Sequence, residues 1–208
     1  HIFSNIQHDR LRLIKAYRKS IRFTAFLTFP LLVGGLMVAP ALFHLLFKSQ
    51  WWAAIPYFQL LCAGGCFTVL TAINNNFIKV SGRSSGILKI EIFKIILTIA
   101  AIALLLRASV LAMVAGLIAV RVAVHLINMA YTQRYTGYTF MAQAADTLPY
   151  VVLAALMAGA VYVAGLVTST AWLQLILQVV VGATVYIGLA YLTGSKILKE
   201  AISLLKKK

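Results

Sequence analysis

The sequence predicts an all-α fold: a polytopic bundle of six transmembrane helices with both termini in the cytoplasm. Three observations predict it. The chain of 208 residues is 62% hydrophobic with a mean hydropathy of +0.93, far above a soluble domain. Six stretches reach the roughly 20 apolar residues that a helix needs to cross a bilayer core. The net charge of +15 is spread unevenly over the connections, as the positive-inside rule describes. These runs are too long and too little alternating for transmembrane strands.

The elements follow in order. Residues 1–20 form a basic segment. Within Asp9–Phe23 the apolar Leu11, Ile14, Tyr17 and Ile21 share one helical face, with Arg10, Arg12, Lys15, Arg18, Lys19 and Arg22 around the rest. This pattern predicts an amphipathic helix lying on the anionic leaflet. A six-helix region over 21–193 comes next, with spans at Ile21–Phe47, Ile55–Lys79, Ile87–Leu106, Ser109–Tyr131, Leu148–Val167 and Ala171–Thr193. Residues 194–208 repeat the basic amphipathic pattern, with Ile197, Leu198, Ala201, Ile202 and Leu205 opposite Lys196, Lys199 and Glu200. Lys79, Arg83, Lys89, Arg134 and the lysine-rich tail fall on one side, and only Lys48 and Arg107 on the other. Topology therefore accounts for the charge, and nucleic acid is not an expected partner.

The first span contains Pro30, then Gly34 and Gly35, then Pro40. Proline removes a backbone donor and crowds the preceding turn, which predicts a kink serving as a hinge or as a fixed bend. Trp51 and Trp52 suit an interface, and Ala154, Ala155, Ala158, Gly159, Ala160 and Ala164 suit close helix contact. Cys62 and Cys66, one turn apart, are expected to be small packing residues rather than a disulfide.

Polar residues inside spans are costly, so their alignment is informative. Gly64, Thr68, Thr71, Asn75 and Lys79 form a stripe on the second span; Glu91, Lys94 and Thr98 form one on the third. Arg121, His125, Asn128 and Thr132 do so on the fourth, Gln174, Gln178 and Gly182 on the sixth, and Thr24, Thr28 and Gly35 on the first. Such stripes predict a polar interior or cleft, with only Asn75 of Asn74–Asn76 on its stripe. Arg121 lies about 18 Å below the outer end of its helix at 1.5 Å per residue. A central arginine needs a partner or water. Two readings stand: a structural Glu91–Arg121 pair, or a cationic site in which Glu91 offsets only part of Lys94 and Arg121 and a phosphate is held.

Catalysis finds no footing here. The four acids, Asp9, Glu91, Asp146 and Glu200, are scattered, and Gly82–Gly86 has no P-loop lysine. His8, His44 and His125 are too far apart for a metal cluster. The chain is predicted to be a non-enzyme with no cofactor. It begins at His1 without a signal-peptide pattern, the start expected of a piece of a longer chain.

The runs QHDRLRLIKAYRKSIRFTAFLTFPLLVGGLMVAP, LLFKSQWWAAIPYFQLL and AINNNFIKVSGRSSGILKIEIFK resemble the polysaccharide transporters. These are the O-antigen and exopolysaccharide flippases of the multidrug/oligosaccharidyl-lipid/polysaccharide superfamily. The likeness covers about the first hundred residues. It implies a bacterial inner-membrane protein with two six-helix lobes around a central cavity, moving undecaprenyl-pyrophosphate-linked oligosaccharide between leaflets by alternating access. The basic N-terminal segment then resembles the inter-lobe linker, making this the C-terminal lobe. Its implied partners are a missing N-terminal lobe, the lipid bilayer, the lipid-linked substrate, and polymerase or other export proteins. Thr24, Thr28, Asn75 and Lys79 become lining groups, Lys79, Arg83, Lys94 or Arg121 the pyrophosphate ligands, and Pro30, Gly34 and Gly35 the hinge. A cation-coupled drug exporter using Glu91 and a non-transporting scaffold for glycan assembly are the competing expectations.

Overall fold

The structure is a computed structural model that describes residues 10–82, 84–195 and 197–198. These residues form six α-helices and one 3-10 segment: α1 (Arg10–Leu46), a 3-10 turn (Ser49–Ala54), α2 (Ile55–Val80), α3 (Ser84–Leu105), α4 (Val110–Thr136), α5 (Phe140–Gly165) and α6 (Ala171–Leu192). No strand occurs among the described residues. Five of the helices are long and apolar enough to cross a membrane; α3 is the one outside this group. Its first half carries Lys89, Glu91 and Lys94, three charges that set it apart in composition from the other five.

The ends follow local chemistry. Ser109 caps α4 by accepting from the Ala112 N–H at 3.0 Å, which satisfies one of the orphan donors of a first turn. Gly137 ends α4 in the left-handed conformation at φ 74°, where a side chain would be strained. The exposed Trp51 and Trp52 lie on the 3-10 turn, with Trp52 donating to the Phe47 carbonyl.

The chain divides into two compact units. One comprises residues up to Thr24 with Ala63–Leu148; the other comprises Ala25–Cys62 with residues from Pro149 onward. In the first unit, α3 packs on α4. Two glycines set this contact, because a Cβ on Gly86 would collide with the Tyr131 ring and one on Gly116 with Leu105. The start of α1 also belongs here and corrects an expectation. Of the apolar face predicted within Asp9–Phe23, Tyr17 and Ile21 are covered by protein rather than lipid, together with Leu13, and Tyr17 stacks on Phe77 with centroids 4.1 Å apart. The segment is the first part of a continuous α1 rather than a separate interfacial helix. Of the tail, only Ile197 and Leu198 are described, and Ile197 is buried.

In the second unit, both prolines sit inside an unbroken α1. A proline leaves the carbonyl four residues earlier without its helical donor, and here those carbonyls are Phe26 and Leu36. Each has found a substitute. The Tyr186 hydroxyl donates to the Phe26 oxygen at 2.8 Å, and the Gln59 amide donates to the Leu36 oxygen at 3.1 Å. The small-residue expectation for α5 holds only in part. Ala154 and Ala164 are buried, along with the larger Leu153, Met157 and Val161, but Gly159 has open space where its side chain would be. The close approach is instead at Gly182 of α6, where an added Cβ would lie 2.9 Å from Val161.

Candidate functional site

Within the first unit, stripes from α2, α3 and α4 converge on a cavity of about 460 Å³, inside the size range of small-ligand sites. Thr68, Thr71, Ala72 and Asn75 come from α2; Glu91, Lys94 and Thr98 from α3; Leu117, Val120, Arg121 and Val124 from α4. Each set follows the three- and four-residue spacing that puts side chains on one helical face. Gly64 makes room for the arginine. A Cβ there would lie 3.3 Å from Arg121 Nη1 and 3.0 Å from Ile118.

The wall's polar groups are unequally satisfied. The Lys94 ammonium donates to the Glu91 carboxylate one turn earlier. The Thr68 hydroxyl returns to the Gly64 carbonyl of its own helix at 3.2 Å. Thr71 Oγ1 lies 3.1 Å from His125 Nδ1, so the buried His125 stands behind the wall and reaches it through Thr71. The Asn75 side-chain oxygen is buried without a hydrogen-bond partner among the described residues. Arg121 has no ion pair among them either, since Glu91 is taken by Lys94. Two cations and one carboxylate leave the cavity one positive charge in excess, with hydroxyl and amide groups around it. Such a wall suits an anion that also carries hydroxyls.

Of the residues singled out from sequence, Asn75, Glu91, Lys94 and Arg121 line this cavity. The anticipated Glu91–Arg121 pair is not formed; a lysine on the same helix, three residues away, captures the carboxylate first. Lys79 is exposed at the end of α2 and Thr24 is half-buried, both away from the lining. Thr28 belongs to the second unit and lines neither cavity. Arg83 lies outside the described residues. Pro30, Gly34 and Gly35 line a different space, an apolar groove of about 450 Å³ in the second unit shared with Gln178, Gly182 and Tyr186.

Sequence reasoning missed a second polar assembly in the first unit. Asn74, placed off the polar stripe by its spacing, is fully buried; its side-chain oxygen accepts from the Tyr17 hydroxyl and from Thr132 at 3.4 Å. Asp146, expected to be a scattered acid, is buried and holds Arg18 at 2.7 and 3.0 Å and Arg22 at 3.0 Å. The Tyr138 hydroxyl also donates to it. Burial, and then the Asp146 carboxylate beside it, push the Tyr138 phenol above its ordinary range. Only the rarity of acids in this chain could have flagged Asp146.

Residues 1–56 match the profile of a family described as polysaccharide biosynthesis protein. The match contains the basic segment, the Pro30–Gly35 run and the Lys48–Trp51 turn, and it supports the resemblance to polysaccharide transporters read from the sequence. No curated protein and no solved structure matches the chain. Together the match and the five apolar helices support a multi-pass membrane protein of polysaccharide biosynthesis.

Proposed function

We propose that the chain is one lobe of a membrane flippase, a carrier rather than a catalyst, that moves undecaprenyl-pyrophosphate-linked oligosaccharide from the inner to the outer leaflet by alternating access. The observation that carries this reading is the cavity among α2, α3 and α4, whose excess positive charge is surrounded by Thr68, Thr71, Asn75 and Thr98. Arg121 and Lys94 supply donors for phosphate oxygens, and Asn75 offers an acceptor for a sugar hydroxyl. The uneven loop charge favours cytoplasmic termini in a bacterial inner membrane. A second lobe, on the same chain or a partner, completes the transporter.

Replacing Arg121 with Gln in the complete transporter tests this. A charge-assisted hydrogen bond contributes about 1.5–3 kcal/mol, so export of the lipid-linked glycan is expected to fall by about 10-fold or more at unchanged membrane abundance. Normal export from that variant removes the cavity from the transport path. The carboxylate of Glu91 in the same wall keeps a second reading open, a cation-coupled drug exporter. Proton- or sodium-dependent dye efflux that is lost in Glu91→Gln, with glycan export intact, would favour it.

A further inference from the structure

Asp146 is over-supplied with donors. Its Oδ1 accepts from Arg18 Nη2 and from Arg22 Nε and Nη2, and its Oδ2 from Arg18 Nε and the Tyr138 hydroxyl. One carboxylate thus faces two guanidinium groups, and a positive charge is left over. The carboxylate is sunk to 2% side-chain exposure, while the two arginines keep 42% and 30%. Each uses one edge of its fork, Nε with Nη2, and the Nη1 edges of both have no partner among the described residues. The Tyr138 ring, 5.8 Å from the Arg18 guanidinium, backs the first fork. Two half-exposed forks are therefore held in place from behind, with donors unspent in front.

Their position along α1 says what can reach them. Phe23–Phe47 contains no Lys, Arg, Asp or Glu, so Arg22 and Arg18 stand at and just before the start of the apolar run. Lys15 and Lys19, on the same stretch, are exposed. In a membrane-spanning helix this is headgroup level, where basic pockets between helices take lipid phosphates.

We propose that Arg18 and Arg22, braced by Asp146 and Tyr138, form a binding site for the phosphate of an anionic group at this end of the first unit. The buried carboxylate orients both forks and lowers the cost of placing two cations side by side. The incoming phosphate takes the outer donors and the residual charge. The site is separate from the cavity holding Arg121 and does not depend on the flippase reading.

The test uses the full chain in dodecyl maltoside, with unfolding followed by tryptophan fluorescence. Phosphatidylglycerol, phosphatidylethanolamine and inorganic phosphate are added in turn. At about ten times its dissociation constant, phosphatidylglycerol is expected to raise Tm by about 3–6 °C, and phosphatidylethanolamine is not. An equal shift with inorganic phosphate assigns the site to free phosphate instead of a lipid headgroup. No shift with either anion overturns the proposal. The pair Arg22→Gln with Asp146→Asn leaves net charge unchanged and should abolish the shift; a shift retained there means general attraction to a basic surface and also overturns it. Arg18→Lys keeps Asp146 neutralised but replaces the fork with a point charge, and should weaken binding about tenfold. Lys15→Gln with Lys19→Gln should leave most of the shift; its loss there, with the Arg18 variant unaffected, sinks the site.

Discussion

The two units solve the same difficulty, polar atoms in an apolar surrounding, by opposite means. The first spends side chains on it: Asp146 is met by Arg18, Arg22 and Tyr138, Asn74 by Tyr17 and Thr132, and His125 by Thr71. Among its described residues the second carries Lys48 alone of the Lys, Arg, Asp and Glu side chains, and its polar problem lies in the backbone, where two prolines strip donors from Phe26 and Leu36. Single side chains, Tyr186 and Gln59, repair them. The cavities differ accordingly. The one in the first unit has charged walls, whereas the groove in the second is lined by glycines, aliphatic groups and aromatic rings, with the uncharged Gln178 amide beside them. Buried polarity can therefore be concentrated in networks of side chains or confined to main-chain repairs, and the two should respond differently to mutation.

The largest effect is expected where a network loses its centre. Asp146→Ala leaves Arg18 and Arg22 facing each other, and partial exposure tempers the loss expected for a fully buried pair. A destabilisation of about 2–3 kcal/mol is expected, read from the midpoint of unfolding in mixed micelles; a change indistinguishable from zero would break the contrast between the units. Next comes Tyr186→Phe, which removes one hydrogen bond and keeps the ring. It should cost about 1 kcal/mol and lower Tm by about 2–4 °C. The smallest effects separate two glycines. Gly182→Ala pushes its Cβ against Val161 and should destabilise slightly, while Gly159→Ala meets open space and should be neutral or stabilising by a few tenths of a kcal/mol. The same sign for both would show that packing in the second unit is looser than the helix spacing indicates.

Much of the polar cavity was legible because polar residues at three- and four-residue spacing stand out against an apolar chain. Thr68, Thr71 and Asn75, and likewise Glu91, Lys94 and Thr98, meet on one wall as their spacing requires. What periodicity leaves open is the identity of the neighbour. The face bearing Tyr17 and Ile21 looks the same whether lipid or Phe77 covers it, so periodicity alone does not show that protein buries these two. Asn74 and Asn75 differ by one helical step, and only the arrival of Tyr17 from 57 positions away decides which is buried. Glu91 was matched to the deeper Arg121 across helices, yet a flexible lysine one turn away wins by proximity. The orphan carbonyls at Phe26 and Leu36 could be deduced from proline chemistry alone, but not that Tyr186, 160 residues distant, would serve one of them.

That last separation bears on how the protein is made. Membrane helices enter the bilayer in the order of synthesis, and a carbonyl without a donor is costly there. The Leu36 carbonyl waits only until α2 follows, because Gln59 lies 23 residues from it. The Phe26 carbonyl waits for Tyr186 and thus for the last helix of the described chain. Until then the first helix is incomplete, whatever its length and apolarity. Its turn before Pro30 is completed only when α6 has been inserted, which ties α1 to the arrival of a helix made much later.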